Sequence, residues 1–118
     1  MTYLIACLST GKGTWGHVSR LIKSEDWEKV FLITNEFGKE RFSPDKDTRL
    51  VLVPNKLHIN KMVELIKEQL KNQIDDTQVA VNFVSGTGKE HMALVSALLK
   101  MGLALRFVYM DDDKWIEL

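Results

Sequence analysis

Five short apolar runs recur along the chain, each rich in β-branched or aromatic residues, and they predict five strands. The runs cover residues 3–8, 30–34, 49–53, 79–84 and 104–109. Apolar and polar positions alternate little within them. This lack of alternation is typical of strands that are covered on both faces, as in a parallel sheet.

Segments with a helical spacing of apolar residues lie between the predicted strands. They cover residues 15–22 and 59–74, and a shorter helix is predicted over residues 36–42, ended by Ser43-Pro44. In residues 92–101 apolar side chains fill most sides of the helix, so we expect this helix to be well buried. We expect Gly102 to end it, as a glycine commonly does at the carboxyl end of a helix.

The alternation of strands and helices predicts an α/β fold, a Rossmann-like three-layer sandwich with a mainly parallel central sheet and right-handed crossovers. After the fifth strand an acidic turn, residues 111–113, precedes residues 114–118, which predict a short closing strand, antiparallel at the edge of the sheet. A length of 118 residues without repeat or linker suits one domain, so we expect residues 1–118 to form a single ligand-binding domain.

Composition narrows the classes of partner. Hydrophobic residues make up 45% and charged residues 27% of the chain, and the formal net charge is zero. A neutral chain lacks the basic field of a general nucleic-acid or membrane-surface binder, so we expect neither DNA nor a membrane as partner. The apolar content makes an adequate but thin core, which favours an oligomer that buries part of an apolar face between subunits.

The single cysteine, Cys7, lies within an apolar run and is predicted to be a buried core thiol. A chain without a disulfide framework fits a reducing compartment. The first predicted strand begins with no signal peptide in front of it, and no apolar run approaches the length of a membrane span. Together these features predict a cytoplasmic protein.

Two loops rich in glycine and hydroxyl groups follow the first and fourth predicted strands, and each leads into a helix. The first loop consists of Ser9, Thr10, Gly11, Lys12, Gly13 and Thr14, and the second of Ser85, Gly86, Thr87, Gly88 and Lys89. Backbone amides, a helix dipole and a lysine all attract an anion. Because ligands bind beyond the carboxyl ends of such strands, the loops predict a site for a phosphate-bearing ligand. Asn82, near the end of the fourth strand, either touches that ligand or holds a loop together.

A purely structural interpretation of the same loops stays open. Gly, Ser and Thr are common in turns for backbone reasons alone, and Thr87 with Glu90 fits a helix capping box. The carboxylate of Glu90 would also repel an anion that binds nearby. A P-loop is excluded, because Phe83 stands where its first glycine would be and Glu90 where its hydroxyl would be. The dinucleotide pattern of residues 11–16 lacks a well-placed acidic residue after the second strand.

The three histidines are scattered along the chain and predict no metal site. His17 lies early in the first predicted helix, where it could face the loops, whereas His58 and His91 lie in a loop and in the fourth helix. No cysteine or carboxylate stands at ligand spacing from any of them. We therefore expect neither a metal nor another cofactor.

At these loops the sequence resembles the CRISPR-associated Rossmann fold (CARF) domains, which sense cyclic oligoadenylates. Leu8-Ser9-Thr10-Gly11 is similar to the exit of the family's first strand. Residues 82–89, followed by Met92, resemble the family's pattern Asn-x-Thr-Gly-Gly-Thr-Lys-x-Met with one extra residue. Residues 114–118 resemble the domain's closing strand. The resemblance spans nearly the whole chain, through short motifs.

The resemblance implies a homodimer that binds a cyclic oligoadenylate, a small cyclic RNA of antiviral signalling, across its two-fold axis. The implied ligand-binding residues are Ser9, Thr10, Gly11, Lys12, Gly13, Thr14, Asn82, Ser85, Gly86, Thr87, Gly88 and Lys89. Some members, the ring nucleases, also cut the ligand without metal, by attack of a ribose 2′-hydroxyl on the adjacent phosphate. Lys89 and Ser9 are then the implied catalytic residues, because a lysine and a hydroxyl donor can align the phosphate and stabilise its developing charge.

A second resemblance gives an alternative. Residues 13–18, Gly-Thr-Trp-Gly-His-Val, look like the glycine-rich loop and histidine of GT-B glycosyltransferases, which use sugar nucleotides. That family needs two Rossmann domains. On this hypothesis the chain would be a sugar-nucleotide-binding half that acts with a partner chain.

Overall fold

The computed structural model describes residues 2–9, 12–43 and 47–118, with the backbone but not the side chain of Lys12. The strands within these ranges are β1 (Leu4–Cys7), β2 (Val30–Thr34), β3 (Thr48–Leu52), β4 (Gln78–Asn82), β5 (Ala104–Asp111) and β6 (Lys114–Glu117). The helices are α1 (Trp15–Lys23), α2 (Glu36–Arg41), α3 (Ile59–Leu70) and α4 (Gly88–Lys100), and a single 3₁₀ turn at Lys12–Thr14 precedes α1.

The strands form one sheet in the order β3-β2-β1-β4-β5-β6. All neighbouring strands pair in parallel except β6, which runs antiparallel to β5 at the edge. The predicted α/β fold, its mainly parallel sheet and its antiparallel closing strand are therefore confirmed. The order reverses at β1: β2 and β3 lie on one side of it and β4 and β5 on the other. Between β1 and β4 the sheet thus has the switch point at which open α/β sheets bind ligands.

The strand boundaries follow the sequence closely. β2 has the predicted bounds, whereas β1 is one residue shorter at each end and β5 runs two residues further. β3 and β4 both begin one residue earlier than predicted, and they end one and two residues earlier. The extra length of β5 allows it to pair with β6, and Arg106 and Glu117 join these two strands through two hydrogen bonds of 3.1 and 2.6 Å.

Both faces of β1 are buried, which explains the lack of alternation in its sequence. Ile5 and Cys7 enter a core cluster with side chains of α3 and α4. Leu4 and Ala6 enter a second cluster with side chains of α1. The prediction that Cys7 is a buried core thiol is confirmed. Burial, and secondarily the nearby Glu90 carboxylate, raise the pKa of this thiol well above its usual range.

The prediction that the fourth helix is well buried is wrong. One side of α4, which includes Ala93 and Leu94, is buried against the sheet and α3. On the other side Met92 is 65% exposed and Leu99 is 58% exposed. Within the described ranges no other element covers that outer side of the helix. The sequence shows that these side chains are apolar, but it does not show whether another element of the fold covers them. The helix does end as predicted, with Gly102 at a φ of 79°.

The short helix predicted over residues 36–42 is confirmed as α2, which ends one residue earlier. Pro44, which was expected to break it, lies outside the described residues. Asn35 begins the helix, because its side chain accepts a hydrogen bond from the Gly38 amide at 3.0 Å. This cap fixes where the chain turns away from the carboxyl end of β2.

Gly38 provides a test of how closely α2 lies against the sheet. A Cβ at this buried position would collide with Thr34 Oγ1 and lie 2.9 Å from the carbonyl oxygen of Leu8. The Thr34 hydroxyl donates to that same carbonyl, so it cannot turn away without losing a bond. We expect Gly38→Ala to lower the free energy of unfolding by about 1–3 kcal/mol, because overpacking outweighs the gain in helix propensity.

Urea denaturation followed by circular dichroism measures this change. Gly88→Ala is the matched control, because a Cβ at Gly88 meets nothing within 4 Å. We expect the control to stay within about 0.5 kcal/mol of the parent or to be slightly more stable. Equal stability of the two variants would contradict the close approach at Gly38.

Candidate functional site

The two glycine-rich loops meet beyond the carboxyl ends of β1 and β4. The backbone amide of Ser9 donates to Ser85 Oγ at 3.2 Å, and the Ser9 hydroxyl donates to Glu90 Oε1 at 2.7 Å. All three residues are buried. The parallel pairing of β1 with β4 brings Ser9 and Ser85 to the same edge of the sheet, and Glu90 reaches them from the first turn of α4.

The predicted capping box of α4 is confirmed. Thr87 Oγ1 accepts from the Glu90 amide at 3.2 Å, and Glu90 Oε1 accepts from the Thr87 amide at 2.8 Å. One of the backbone donors that an anion would use at this helix end is therefore already bound to a carboxylate of the chain itself. The amides of Gly88 and Lys89, the first two residues of α4, have no acceptor within the helix.

Gly86 is required by the local geometry. Its φ is 98°, in the left-handed region that glycine adopts readily. A Cβ there would lie 2.9 Å from Cys7 Cβ and 3.2 Å from Glu90 Oε1. Backbone conformation and packing therefore explain why a glycine stands at this position, whether or not a ligand approaches the loop.

Lys89 is exposed and reaches toward the loop that follows β3. Its Nζ donates to the carbonyl oxygen of Leu57 at 2.5 Å and contacts that of Asn55 at 3.4 Å. Asn55, Met62, Thr87, Lys89 and Glu90 line a cavity of about 340 Å³. This volume lies at the lower end of the range for small-molecule sites, roughly 300–1,000 Å³.

The first loop is described only in part. Thr10, Gly11 and the side chain of Lys12, which were predicted to bind ligand, lie outside what the structure describes. Gly13 is exposed, and a Cβ added there would have no described atom within 4 Å. Thr14 is half-buried just before α1.

Asn82 and His17 together join three elements. The Asn82 amide nitrogen donates to the Val108 carbonyl at 2.9 Å and to His17 Nε2 at 3.2 Å, and its oxygen accepts from the Val84 amide at 3.2 Å. His17 Nε2 also accepts from the Met110 amide at 3.3 Å. Of the two roles predicted for Asn82, the structure shows the one that holds a loop together. The link to His17 was not foreseen, although a polar residue inside an apolar strand signals a buried hydrogen-bonding need.

An aromatic surface adjoins the second loop and was not predicted from the sequence. The His91 ring is stacked on Phe83 with centroids 5.0 Å apart, and its Nε2 donates to the Ser85 carbonyl at 2.7 Å. Phe83 in turn meets Phe107 edge-on, with ring centroids 5.5 Å apart. These rings and the neighbouring apolar residues of α4 line an apolar cavity of about 410 Å³. The surface therefore connects the loop with the uncovered side of α4.

No protein-family model matches the sequence. A search of curated proteins finds no significant match. None of the helices in the described ranges is long and apolar enough to cross a membrane.

The neutral form of His17 is tied to the fold, which gives a test by pH. Because Nε2 accepts from two N–H donors, protonation of that nitrogen would break both bonds. Burial, and secondarily the charge of Arg20, lower the pKa of His17 below the ordinary range of a histidine. The unfolded chain then binds more protons than the folded one as the pH falls through the unfolded pKa. The stability that depends on neutral His17 is thus complete above that pKa and is lost toward the lower folded pKa.

We expect His17→Gln, which keeps an acceptor but cannot titrate, to lose less free energy of unfolding than the parent between pH 7.5 and pH 5.5. Urea unfolding at both values measures the difference. His58→Gln, at an exposed histidine, is the matched control and should keep the pH dependence of the parent. Identical pH dependence in the parent and in His17→Gln would refute the role of the neutral ring.

Proposed function

We propose that this chain is a CARF-like domain that binds a cyclic oligoadenylate as a homodimer, at the carboxyl ends of β1 and β4. The observation that carries the proposal is the direct contact between the two loops at the switch point, Ser9 to Ser85 and Ser9 to Glu90. Buried polar contacts hold the base of the site, while Thr87, Gly88 and Lys89 are exposed at its rim. We propose with it a Rossmann-like three-layer arrangement, supported by the separate core clusters on either side of β1.

The amino end of α4 offers the donors that a phosphate needs. The amides of Gly88 and Lys89 point out of the first turn, where the helix dipole adds a partial positive charge. The ammonium group of Lys89 supplies the full charge. Because Lys89 is exposed, exchanging its two carbonyl contacts for a phosphate costs little.

The geometry supports binding better than cutting. The hydroxyl of Ser9 is fully buried and donates to Glu90. This implied catalytic residue is therefore not free to act on a phosphate, and the proposal stops at binding. The glycosyltransferase alternative gains no support from its key residue, because His17 Nε2 already accepts from Asn82 and Met110.

A broad apolar surface supports the homodimer. We call it the α4–β5 face; its members are Met92, Leu99, Phe107, Tyr109, Ile116 and Leu118, all exposed. Single exposed apolar residues are ordinary on a protein surface, whereas a group of large ones on one face is typical of a protein–protein interface. Phe83 and His91 connect the face to the second loop, so pairing of two such faces would bring the loops of both copies toward one axis.

Lys89 provides the test of binding. We expect Lys89→Ala to weaken the affinity for cyclic tetra-adenylate about ten- to hundred-fold, the scale of one charge-assisted hydrogen bond. The free energy of unfolding should hardly change, since an exposed lysine contributes little. Affinity of the parent should fall with added salt. Isothermal titration calorimetry at two salt concentrations measures both effects.

Lys100→Ala, at the other end of α4, is the matched control and should bind like the parent. Parent-like affinity of Lys89→Ala would contradict the assignment of this loop. The same protein, incubated with cyclic tetra-adenylate without metal, tests the limit to binding. Linear products would show that the ligand is also cut.

The oligomeric state tests the α4–β5 face. We expect the parent to sediment as a dimer, and we expect Leu99→Glu to be monomeric, because a carboxylate at an apolar interface loses its hydration without a partner. Lys71→Glu, exposed at the end of α3, is the matched control and should remain dimeric. Analytical ultracentrifugation with and without ligand measures the mass. A parent that is monomeric in both conditions would overturn the homodimer.

A further inference from the structure

The carboxylate of Glu90 is satisfied on one oxygen only. Its side chain is buried, with a residue exposure of 2%. Oε1 accepts from the Ser9 hydroxyl and from the Thr87 amide, at 2.7 and 2.8 Å. Oε2 is also buried, and it has no hydrogen-bond partner among residues 2–9, 12–43 and 47–118. A buried carboxylate oxygen without a donor is costly to the folded state, so its presence calls for a donor beyond the described residues.

The position of Glu90 shows where such a partner would come from. The side chain turns back onto the amino end of α4, and Glu90 lines the 340 Å³ cavity together with Thr87 and Lys89. A phosphate placed against Glu90 would be repelled by a like charge. The cavity has a positive rim, formed by Lys89 and the first amides of α4, and one negative wall, formed by Glu90. The phosphates of a ligand would lie at the rim, away from Glu90.

We propose that Glu90 Oε2 accepts a hydrogen bond from an O–H or N–H donor of the ligand. This inference rests on the proposed function. In a cyclic oligoadenylate the available donors are the ribose 2′-hydroxyl and the amino group of adenine, and the phosphates lie toward the rim at Gly88 and Lys89. Glu90 lines the cavity, so a donor of a ligand held there lies beside this carboxylate. Glu90, whose other oxygen is held by Ser9 and Thr87, is then the residue that selects the ligand by its donors.

Specificity follows from the chemistry of an unpaired acceptor. A site built to accept a hydrogen bond from a ligand discriminates strongly against an analogue that lacks the donor, because the buried acceptor is then left unpaired. Glu90 would consequently distinguish an RNA ring from its 2′-deoxy counterpart, or an adenine ring from one without the amino group. A site that relied on Lys89 and backbone amides alone would bind all three rings alike, since all three carry the same phosphates.

Glu90→Gln is the variant that separates these cases. The amide oxygen can still accept from Ser9 and Thr87, whereas the amide nitrogen replaces Oε2 with a donor. We expect the ligand-free variant to unfold in urea close to the parent, because its amide oxygen keeps the hydrogen bonds from Ser9 and Thr87. We expect its affinity for cyclic tetra-adenylate to fall ten-fold or more. Glu64→Gln, exposed on α3, is the matched control and should bind like the parent.

Calorimetry with three rings identifies the donor: cyclic tetra-adenylate, its 2′-deoxy analogue and the inosine analogue that lacks the amino group. We expect the parent to bind one of the two analogues at least ten-fold more weakly than cyclic tetra-adenylate, and Glu90→Gln to bind that analogue and cyclic tetra-adenylate about equally. The analogue that the parent rejects names the group that Glu90 contacts.

Three results would overturn the inference. If the parent binds the three rings equally, no donor is selected, and this result does not depend on whether any variant folds. If Glu90→Gln keeps both the affinity and the discrimination of the parent, another residue selects the donor; in these two cases the proposed function stands. If the parent binds none of the rings, the proposed function fails and the inference fails with it.

Discussion

The central position of β1 is the constraint on which the rest of the structure depends. It pairs in parallel with β2 on one side and with β4 on the other, and its side chains enter core clusters on both faces. A change in its register would break its pairing with both neighbouring strands and mismatch the packing of both core clusters. The same register places Ser9 beside Ser85. The core and the candidate site are thus held by one set of strand pairings.

A carboxylate at the start of α4 makes this loop different from a simple anion site. A helix amino end ordinarily favours negative charge, and here Glu90 supplies that charge from within the chain. The helix is stabilised, but the amide of Thr87 is no longer available to a phosphate. What remains for a ligand is a cavity wall of one charge and a rim of the other. The glycines, hydroxyl groups and lysine of the loop predict the positive rim, but they do not predict the negative wall.

How much could be predicted from the sequence depends on the range of each interaction. The bounds of β2 and the capping box of Thr87 and Glu90 depend on near neighbours in the chain, and both were predicted as found. The exposure of Met92 depends on whether another element covers α4, which a pattern of apolar residues does not contain. The bond between Ser9 and Glu90 joins residues 81 positions apart. It exists only because two loops meet at one sheet edge, so the topology had to be known first.

Cys7 sits directly beneath this edge, close to the position of Gly86. Its thiol is fully buried, and its raised pKa keeps it in the unreactive protonated form. A thiol-specific reagent can therefore modify Cys7 only when β1 and the second loop separate. Since Cys7 is the only cysteine of the chain, the rate of its modification reports how often the floor of the site opens, without any added label.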